Sequence, residues 1–242
     1  MASRDLPAPA RALAIGAHPD DVEFGCGGTL AKWAAAGCEI SHLICTDGSK
    51  GSWDPDDDLA TLVASRQVEQ RAASVALGGR GDVVFLGWRD GELESGLRQR
   101  ADVCYWIRRL KPDVVLGHDP WKRYRLHPDH HHAGKLAVEG IVAARDPHFF
   151  PEQGEPPHRP SHLLLWEADE YDHVEDIGAG VDAKLAALLE HRSQYRTTME
   201  IDDPSSEEQA ERFRDKIRRR HAEAGEGHDM AYAERFKLIS KL

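Results

Sequence analysis

Short apolar runs typical of β-strands alternate along this chain with stretches that have the apolar spacing of helices. The runs are Leu13–Ala17, Ile40–Cys45, Val83–Leu86, Val114–Gly117 and His162–Trp166, and the helical stretches are Thr29–Ala36, Leu59–Leu77, Leu97–Leu110 and roughly Asp129–Ala144. A strand, a helix and a second strand in succession usually form a parallel crossover unit. The alternation therefore predicts an α/β protein with a mainly parallel, doubly wound sheet and helices on both faces.

The C-terminal part has a weaker pattern. Val181–Glu190 has apolar residues at helical spacing and is expected to pack in the core, and Ser206–Glu223 is expected to form a highly charged helix. At 242 residues, a single large domain is favoured over two independent ones. Within it we expect residues 1–10 to be a flexible lead-in, and residues 145–242 to border the cleft and pack on the sheet.

Composition argues against several classes of function. The net charge of −11 disfavours a general nucleic-acid-binding surface, because such a surface needs a basic face. No apolar run approaches the ~20 residues that span a bilayer, and the first residues lack the apolar core of a signal peptide. We therefore expect no membrane span and a cytoplasmic location. The cysteines have no CxxC spacing and are expected to be reduced and buried, with Cys26 as a packing residue.

The first predicted strand leads into the stretch Ala17–Gly28, which has the sequence AHPDDVEFGCGG. In α/β proteins such a strand-to-helix junction lies at the carboxyl edge of the sheet, where ligands bind. Pro19 makes a stiff corner that presents the imidazole of His18. A single aspartate at this place could simply cap the following helix. A histidine with both Asp20 and Asp21, beside several glycines, favours a binding or catalytic site.

A second polar cluster follows the fourth predicted strand. The chain runs from the strand exit at Gly117–Trp121 into a histidine-rich segment, Leu126–His132, with the sequence LHPDHHH. Pro128 suits the first turn of a helix, so His127 and His130 can bracket a cavity from the loop and from the helix start. An incidental cluster of surface histidines is the alternative. The position of the segment at the same sheet edge as the first motif favours a site.

The two motifs together supply histidine and aspartate ligands of the kind that hold a catalytic Zn²⁺ with one position open to water. Such a metal lowers the pKa of water and polarises a carbonyl, so the implied reaction is hydrolysis. Asp20 is a spare carboxylate that can take a proton from the water, and His127 is a spare imidazole that can stabilise an oxyanion or protonate a leaving group. No serine or cysteine stands in a recognisable nucleophile motif.

Other polar segments allow more than one interpretation. Asp47 and Asp90 follow the second and third predicted strands at the same edge, although Asp90 could simply begin a turn. Arg66 and Glu69 could belong to the site or form an exposed pair on a helix. The aspartates at 54–58 lack the glycine and the glutamate of a calcium loop and are expected to form a solvated acidic loop.

The order of AHPDD after the first strand and HPDH after a later strand resembles the zinc-dependent PIG-L/LmbE-type de-N-acetylases. That family includes deacetylases of mycothiol and bacillithiol biosynthesis and of N-acetylglucosaminyl-phosphatidylinositol. The resemblance covers roughly Leu13 to Gly134, with weaker similarity at Thr46–Gly48, Arg66–Glu69 and His191–Gln194. It implies a Rossmann-like fold and a hydrolase that removes an acetyl group, by cleaving a linear amide bond, from an N-acetylated amino sugar or its conjugate.

The resemblance also implies roles for individual residues. By position, the metal ligands of the family fall on His18, Asp21 and His130, which would hold one Zn²⁺ per chain, with another divalent metal such as Fe²⁺ as the alternative. The general base falls on Asp20, and an auxiliary histidine falls on His127, which Asp129 would orient. A sugar-contacting arginine corresponds to Arg66, and Asp90 is a second candidate for substrate binding.

Several alternatives remain open. Where some members have a mobile tyrosine, this chain has Arg125, with Tyr124 one residue earlier, and His131 could replace its neighbour as metal ligand. A different metal-dependent hydrolase, either an amidase of a thiol or antibiotic conjugate or a phosphoesterase, is the alternative function. A nucleotide-binding module is disfavoured because Gly25–Gly28 lacks the GxGxxG spacing. The basic run at 218–220 is expected to be a solvated face, with a homo-oligomer contact or a clamp on an acidic substrate as the alternative.

Overall fold

The computed structural model describes residues 2–242, and in that range eight strands and seven α-helices are present. The strands are β1 (Ser3–Arg4), β2 (Arg11–Gly16), β3 (Glu39–Thr46), β4 (Val83–Trp88), β5 (Val114–His118), β6 (His162–Trp166), β7 (His173–Asp176) and β8 (Ala233–Ile239). The helices are α1 (Asp21–Ala35), α2 (Leu59–Ala76), α3 (Leu97–Leu110), α4 (Pro128–Arg145), α5 (Val181–Glu190), α6 (Tyr195–Thr198) and α7 (Glu207–Gly225).

All eight strands belong to one sheet, in the order β1–β7–β8–β6–β5–β2–β3–β4. Neighbouring strands are parallel except at β8, which is antiparallel to both β6 and β7. The expectation of a mainly parallel sheet is therefore confirmed. Within residues 2–242 no helix combines the length and the hydrophobicity that crossing a bilayer requires.

Alternate residues of the central strands face two separate cores. Leu13 and Ile15 of β2 pack with α3 and α4 on one face, whereas Ala12 and Ala14 pack with α1, α2 and α5 on the other. Strands that are buried on both faces need apolar residues at nearly every position. This explains why the predicted strands were continuous apolar runs rather than alternating ones.

The order of the strands places a crevice at the carboxyl ends of β2 and β5. From β2 the chain goes to β3 and β4 on one side, and it then returns to β5 on the other side of β2. At such a switch point the two following loops diverge and leave a ligand-binding crevice. Both sequence motifs leave the sheet here, AHPDD after β2 and HPDH after β5.

Helix α1 begins at Asp21, eight residues earlier than the predicted start at Thr29, and the prediction was wrong at this boundary. The helix is interrupted at Cys26, whose φ of −148° is not helical. The carboxylate of Glu234 accepts hydrogen bonds from the amides of Gly28 and Thr29, both at 2.9 Å, and so caps the second segment. The apolar periodicity had identified that second segment alone.

The sequence patterns did not predict β1, β7 or β8. Ser3 and Arg4, within the expected flexible lead-in, pair with His173 and Val174 of β7. Strand β8 has the sequence AERFKLI, in which charged residues obscure the apolar pattern. Glu234 of this strand is buried because Lys184 of α5 forms an ion pair with it at 2.7 Å. Long-range pairing of this kind leaves no periodic signal in the local sequence.

Candidate active site

The turn between β2 and α1 brings its charged side chains into the crevice. His18, Asp20 and Asp21 are all buried. The backbone amide of His18 donates a hydrogen bond to Oδ2 of Asp21 at 2.7 Å, which closes the turn. Gly25 lies against Trp166 of β6, so closely that a Cβ atom would be 2.6 Å from the indole. The glycines of this motif therefore admit a neighbouring side chain, as their number suggested.

Three imidazoles surround the carboxylate of Asp21. Its oxygens lie 3.2 Å from Nε2 of His118, 3.3 Å from Nε2 of His130 and 3.4 Å from Nδ1 of His18. Burial opposes the charge of this carboxylate, but His130 and His118 outweigh burial and hold the pKa of Asp21 well below its usual range. Asp21 is therefore a carboxylate anion at neutral pH.

His18 bridges two further carboxylates. Its Nε2 lies 3.1 Å from Oδ1 of Asp90 and 3.1 Å from Oδ2 of Asp129. Burial lowers the pKa of His18, but hydrogen bonds to Asp129, Asp21 and Asp90 raise it well above its usual value. Burial likewise opposes the charge of Asp90, while His18 lowers the pKa of that carboxyl to about 2.

The donor atoms at this edge suit a divalent cation. Three overlapping sets place ligand atoms within 4.8 Å of one another: His18, His127 and His130; Asp21, His118 and His130; and His18, Asp90 and Asp129. Four buried carboxylates, from Asp20, Asp21, Asp90 and Asp129, meet here, and the buried guanidinium of Arg66 lies beside Asp20. Imidazole and carboxylate donors around such an excess of negative charge match the ligand chemistry of a catalytic Zn²⁺.

A hydrogen bond from Trp166 holds the ring of His118 beside Asp21. Nε1 of Trp166 donates a hydrogen bond to Nδ1 of His118 at 3.0 Å, and Nε2 of His118 faces Asp21. Nε2 of His118 is buried and lies 3.2 Å from Oδ2 of Asp21, without a well-formed hydrogen bond to any described residue. His118 was not predicted as a site residue, although its position at the end of the fourth predicted strand was an available signal.

Adjacent histidines of the HPDHHH segment have different surroundings. The ring of His127 is exposed, stacks on His130 at 4.9 Å between centroids and lies 4.6 Å from the ring of His18. His130 belongs to two of the three candidate ligand sets. His131 instead packs its ring edge-on against His132.

Asp129 contacts groups other than the histidine that it was expected to orient. Its carboxylate is fully buried and accepts hydrogen bonds from the amides of Gly91, at 2.6 Å, and Leu93, at 3.2 Å. The same carboxylate contacts Nε2 of His18. Asp129 therefore links the start of α4 to the loop after β4 and to His18 of the first motif. The ring of His127 instead contacts the rings of His18 and His130.

Helix α2 contributes Arg66, which is 3% exposed, so the interpretation as an exposed surface pair with Glu69 was wrong. Its Nη2 donates to the carbonyl of Pro19 at 2.6 Å and lies 3.4 Å from Oδ2 of Asp20. Its Nη1 donates to the carbonyl of Gly48 at 2.9 Å. Burial raises the pKa of Asp20 to about 6, although Arg66 offsets part of that effect.

The two residues at the position of the mobile tyrosine differ in exposure. Tyr124 is 87% exposed and is not among the residues that line the cavity described below. The guanidinium of Arg125 is largely buried, with Nη1 3.1 Å from Nδ1 of His130 and 2.7 Å from Oε2 of Glu167. Arg125 is thus the one of the pair that touches the histidine cluster.

These side chains open into a cavity of about 460 Å³. Of the residues described above, the cavity is lined by His18, Asp20, Asp21, Arg66, Asp90, His118, His127 and His130. Lys50 and Trp53 from the loop after β3 also line it. Residues from the C-terminal part complete the rim: Trp166, Glu167, Gln194, Thr197, Thr198 and Arg220. Of the basic run at 218–220, Arg218 forms ion pairs with Glu211 and Asp215 on its own helix, whereas Arg220 faces the cavity.

Comparison with known proteins places this architecture in a family. The family model described as PIG-L, GlcNAc-PI de-N-acetylase, matches residues 13–141. The chain is 33% identical to the diacetylchitobiose deacetylase of Thermococcus kodakarensis over 188 residues, which is 76% of this chain and 70% of that protein. It is also 33% identical to the 1D-myo-inositol 2-acetamido-2-deoxy-alpha-D-glucopyranoside deacetylase of Streptomyces avermitilis, over 63% of this chain and 60% of that protein.

A solved structure supports the same relationship over almost the whole fold. The N,N'-diacetylchitobiose deacetylase from Pyrococcus horikoshii superposes with a TM-score of 0.85 and 30% identity, covering 98% of this chain and 87% of the other. The region matched by the family model runs from β2 into α4 and contains both histidine motifs. The resemblance noted in the two motifs is therefore confirmed, and the chain belongs to the PIG-L, or GlcNAc-PI de-N-acetylase, family.

Proposed function

We propose that this protein is a metal-dependent deacetylase that hydrolyses the amide of an N-acetylated amino sugar or of its conjugate, releasing acetate and the free amine. The observation that carries the proposal is the position of Asp20. Asp20 lines the cavity beside Asp21, whose carboxylate lies 3.4 Å from His18 and 3.3 Å from His130, at the switch point of the sheet. The membership of the chain in the PIG-L family supports this chemistry.

In this proposal His18, Asp21 and His130 hold one metal ion, for which we propose zinc. When bound, the metal polarises the amide carbonyl and lowers the pKa of a water molecule. His118 and Asp129 keep the ligands in place, because His118 faces Asp21 and Asp129 contacts His18.

Asp20 acts as the general base and takes a proton from the water that attacks the carbonyl carbon. The new C–O bond forms and the C–N bond then breaks, so a proton must reach the departing nitrogen. His127 is exposed at the cavity and stacked on His130, and it stabilises the developing oxyanion or protonates the amine. Its ring is free to approach the substrate because its contacts to the protein are ring contacts.

The substrate contacts in this proposal are Arg66 and Asp90, which both line the cavity. Charged groups fixed by buried hydrogen bonds suit sugar hydroxyls, and a site built for hydroxyls discriminates against analogues that lack them. Trp53 is 81% exposed at the rim and offers a flat apolar surface to a sugar ring.

We further propose a cytoplasmic location. The four free cysteines, Cys26, Cys38, Cys45 and Cys104, are all buried, in keeping with a reducing compartment. Assembly into a homo-oligomer remains a proposal that sedimentation analysis can test.

The decisive experiment removes the base and keeps the metal site. Asp20→Asn should retain the zinc content of the wild type and lose roughly 10²–10⁴-fold in kcat, since that is the usual contribution of a general base. Metal content is measured by elemental analysis, and turnover by release of acetate and free amine from a panel of N-acetylated amino sugars. Arg218→Gln, on the solvated side of α7, is the matched control.

Three outcomes would contradict the proposal. Full activity of Asp20→Asn would exclude Asp20 as the base, and loss of zinc from this variant would make it a ligand. Turnover of phosphate esters without release of any amine would replace the deacetylase assignment by that of a phosphoesterase.

A further inference from the structure

Asp20 has a backbone conformation that is unusual for the residue before a helix. Its φ of 103° and ψ of −25° fall in the left-handed region, which residues with a Cβ atom rarely adopt. An ordinary aspartate at this position has an extended backbone and turns its carboxylate toward the helix amides. Asp20 makes no such capping bond, and its carboxylate lines the cavity instead. The positive φ is therefore what frees the carboxylate for chemistry.

One buried side chain of α2 holds the backbone of Asp20 in this conformation. Oε1 of Gln70 accepts a hydrogen bond from the amide of Asp20 at 3.0 Å, and Gln70 is completely buried. Arg66, one turn earlier on the same helix, holds the preceding carbonyl of Pro19. Successive turns of α2 thus fix both sides of the peptide bond that leads into Asp20.

The orientation of the Gln70 amide is itself determined. Its Nε2 donates to Oε1 of Glu23 at 2.7 Å, and Nε2 of His191 lies 3.2 Å from Oε2 of the same carboxylate. All three side chains are 0% exposed. Because a carboxylate can only accept, the NH₂ group of Gln70 must point to Glu23, and its oxygen must point to Asp20.

We propose that Gln70 is a positioning residue that, through the chain His191–Glu23–Gln70, holds Asp20 in the left-handed conformation its carboxylate needs. This inference rests on the proposed function, in which Asp20 is the general base. Gln70 acts through the backbone of Asp20, so its loss should slow the chemical step and leave substrate binding nearly unchanged.

The first test replaces Gln70 by an apolar side chain of similar size. Gln70→Leu should lower kcat roughly 10- to 100-fold, which is the effect of a small misplacement of a reacting group, while KM and zinc content stay close to those of the wild type. The amide of Asp20 loses its acceptor, so its hydrogen exchange, followed by ¹⁵N NMR, should become faster. Ser74→Ala, a buried change one turn further along α2, is the control and should alter neither readout.

The second test restores the same hydrogen bonds with exchanged partners. In the double variant Gln70→Glu/Glu23→Gln, a carboxylate oxygen at position 70 accepts from Asp20 and the other oxygen accepts from the new amide at position 23. That amide still offers an oxygen to His191, and the net charge is unchanged. Gln70→Glu alone places two carboxylates in contact and should be as slow as Gln70→Leu. The double variant should recover most of the lost kcat.

The outcomes separate this inference from the proposed function. A Gln70→Leu variant with the kcat and the Asp20 amide exchange of the Ser74→Ala control would overturn the positioning role. So would a folded double variant as slow as Gln70→Leu. If Asp20→Asn remains fully active, the proposed base fails, and the amide exchange of Asp20 still decides whether Gln70 holds its backbone.

Discussion

At the scale of single residues, neighbouring histidines of one segment have different functions in the proposed site. His130 faces the carboxylate of Asp21, whereas His131 packs against His132. We expect His130→Ala to lose its zinc on dialysis and His131→Ala to retain about one ion per chain, because only His130 can approach the other ligands. Elemental analysis of the two purified variants checks this. Zinc retained by His130→Ala and lost by His131→Ala would move the ligand to the second histidine.

Sequence alone could predict which residues gather at the crevice, but not all of their contacts. The positions of His18, Asp21 and His130 followed from two motifs at strand ends, since parallel strands end at the same edge. The partner of Asp129 could not be predicted, because its choice between His18 and His127 depends on the rotamer that α4 and the loop at Gly91 allow. Gln70 was missed because a glutamine in an ordinary helix has no sequence signal.

At the scale of secondary-structure elements, the interruption of α1 depends on one buried ion pair. Lys184 is 0% exposed and donates to Glu234 and to the carbonyl of Phe24, at the two sides of the break. We expect Lys184→Met to lower the free energy of unfolding by about 3–5 kcal/mol, because it leaves Glu234 buried without its cation. Urea denaturation measures this. Lys216→Met, which removes an exposed ion pair with Glu200, should leave the midpoint unchanged.

A small effect of Lys184→Met would show that water or a rearranged side chain reaches Glu234. The variant Lys184→Met/Glu234→Gln distinguishes the two contributions, since it removes the buried charge and retains an acceptor for the helix amides. It should recover part of the lost stability.

The burial of His221 between α7 and β8 should make the free energy of unfolding depend on pH. His221 donates from Nδ1 to the carbonyl of Ala233 at 2.9 Å, and burial lowers the pKa of its imidazole to about 3. Between about pH 6.5 and 3 the unfolded chain therefore binds a proton that the folded chain does not, so stability falls as the pH falls through this window. Above about pH 6.5 this group has no effect.

His221→Asn keeps a donor for the carbonyl and removes the titrating group, so its stability should fall less steeply on acidification, by at most about 1.4 kcal/mol per pH unit. Denaturation midpoints between pH 5 and 8 provide the measurement. His148→Asn, at an exposed position, is the control. Equal slopes for His221→Asn and the wild type would show that His221 is protonated in the folded protein.

At the scale of the whole molecule, the predictable part of the fold is the part built from repeated local units. The strands from β2 to β6 and the helices between them alternate regularly, and every one of those elements was predicted, although α1 was placed too late. The edge formed by β1, β7 and β8 depends on pairings between distant segments, such as Ser3 with His173. The rim of the cavity also depends on residues distant in sequence, because Arg220 of α7 lines it together with residues of the first motif.

The cap that Glu234 provides for α1 also has a consequence for the order of events during synthesis. The hydrogen bond from Gly28 to Glu234 joins residues 206 positions apart. A growing chain on the ribosome can form the sheet around β2 long before β8 emerges, but it then lacks the acceptor for the second half of its first helix. Long-range closures of this kind are slow steps in folding. The second segment of α1 thus receives its cap only after β8 has been translated.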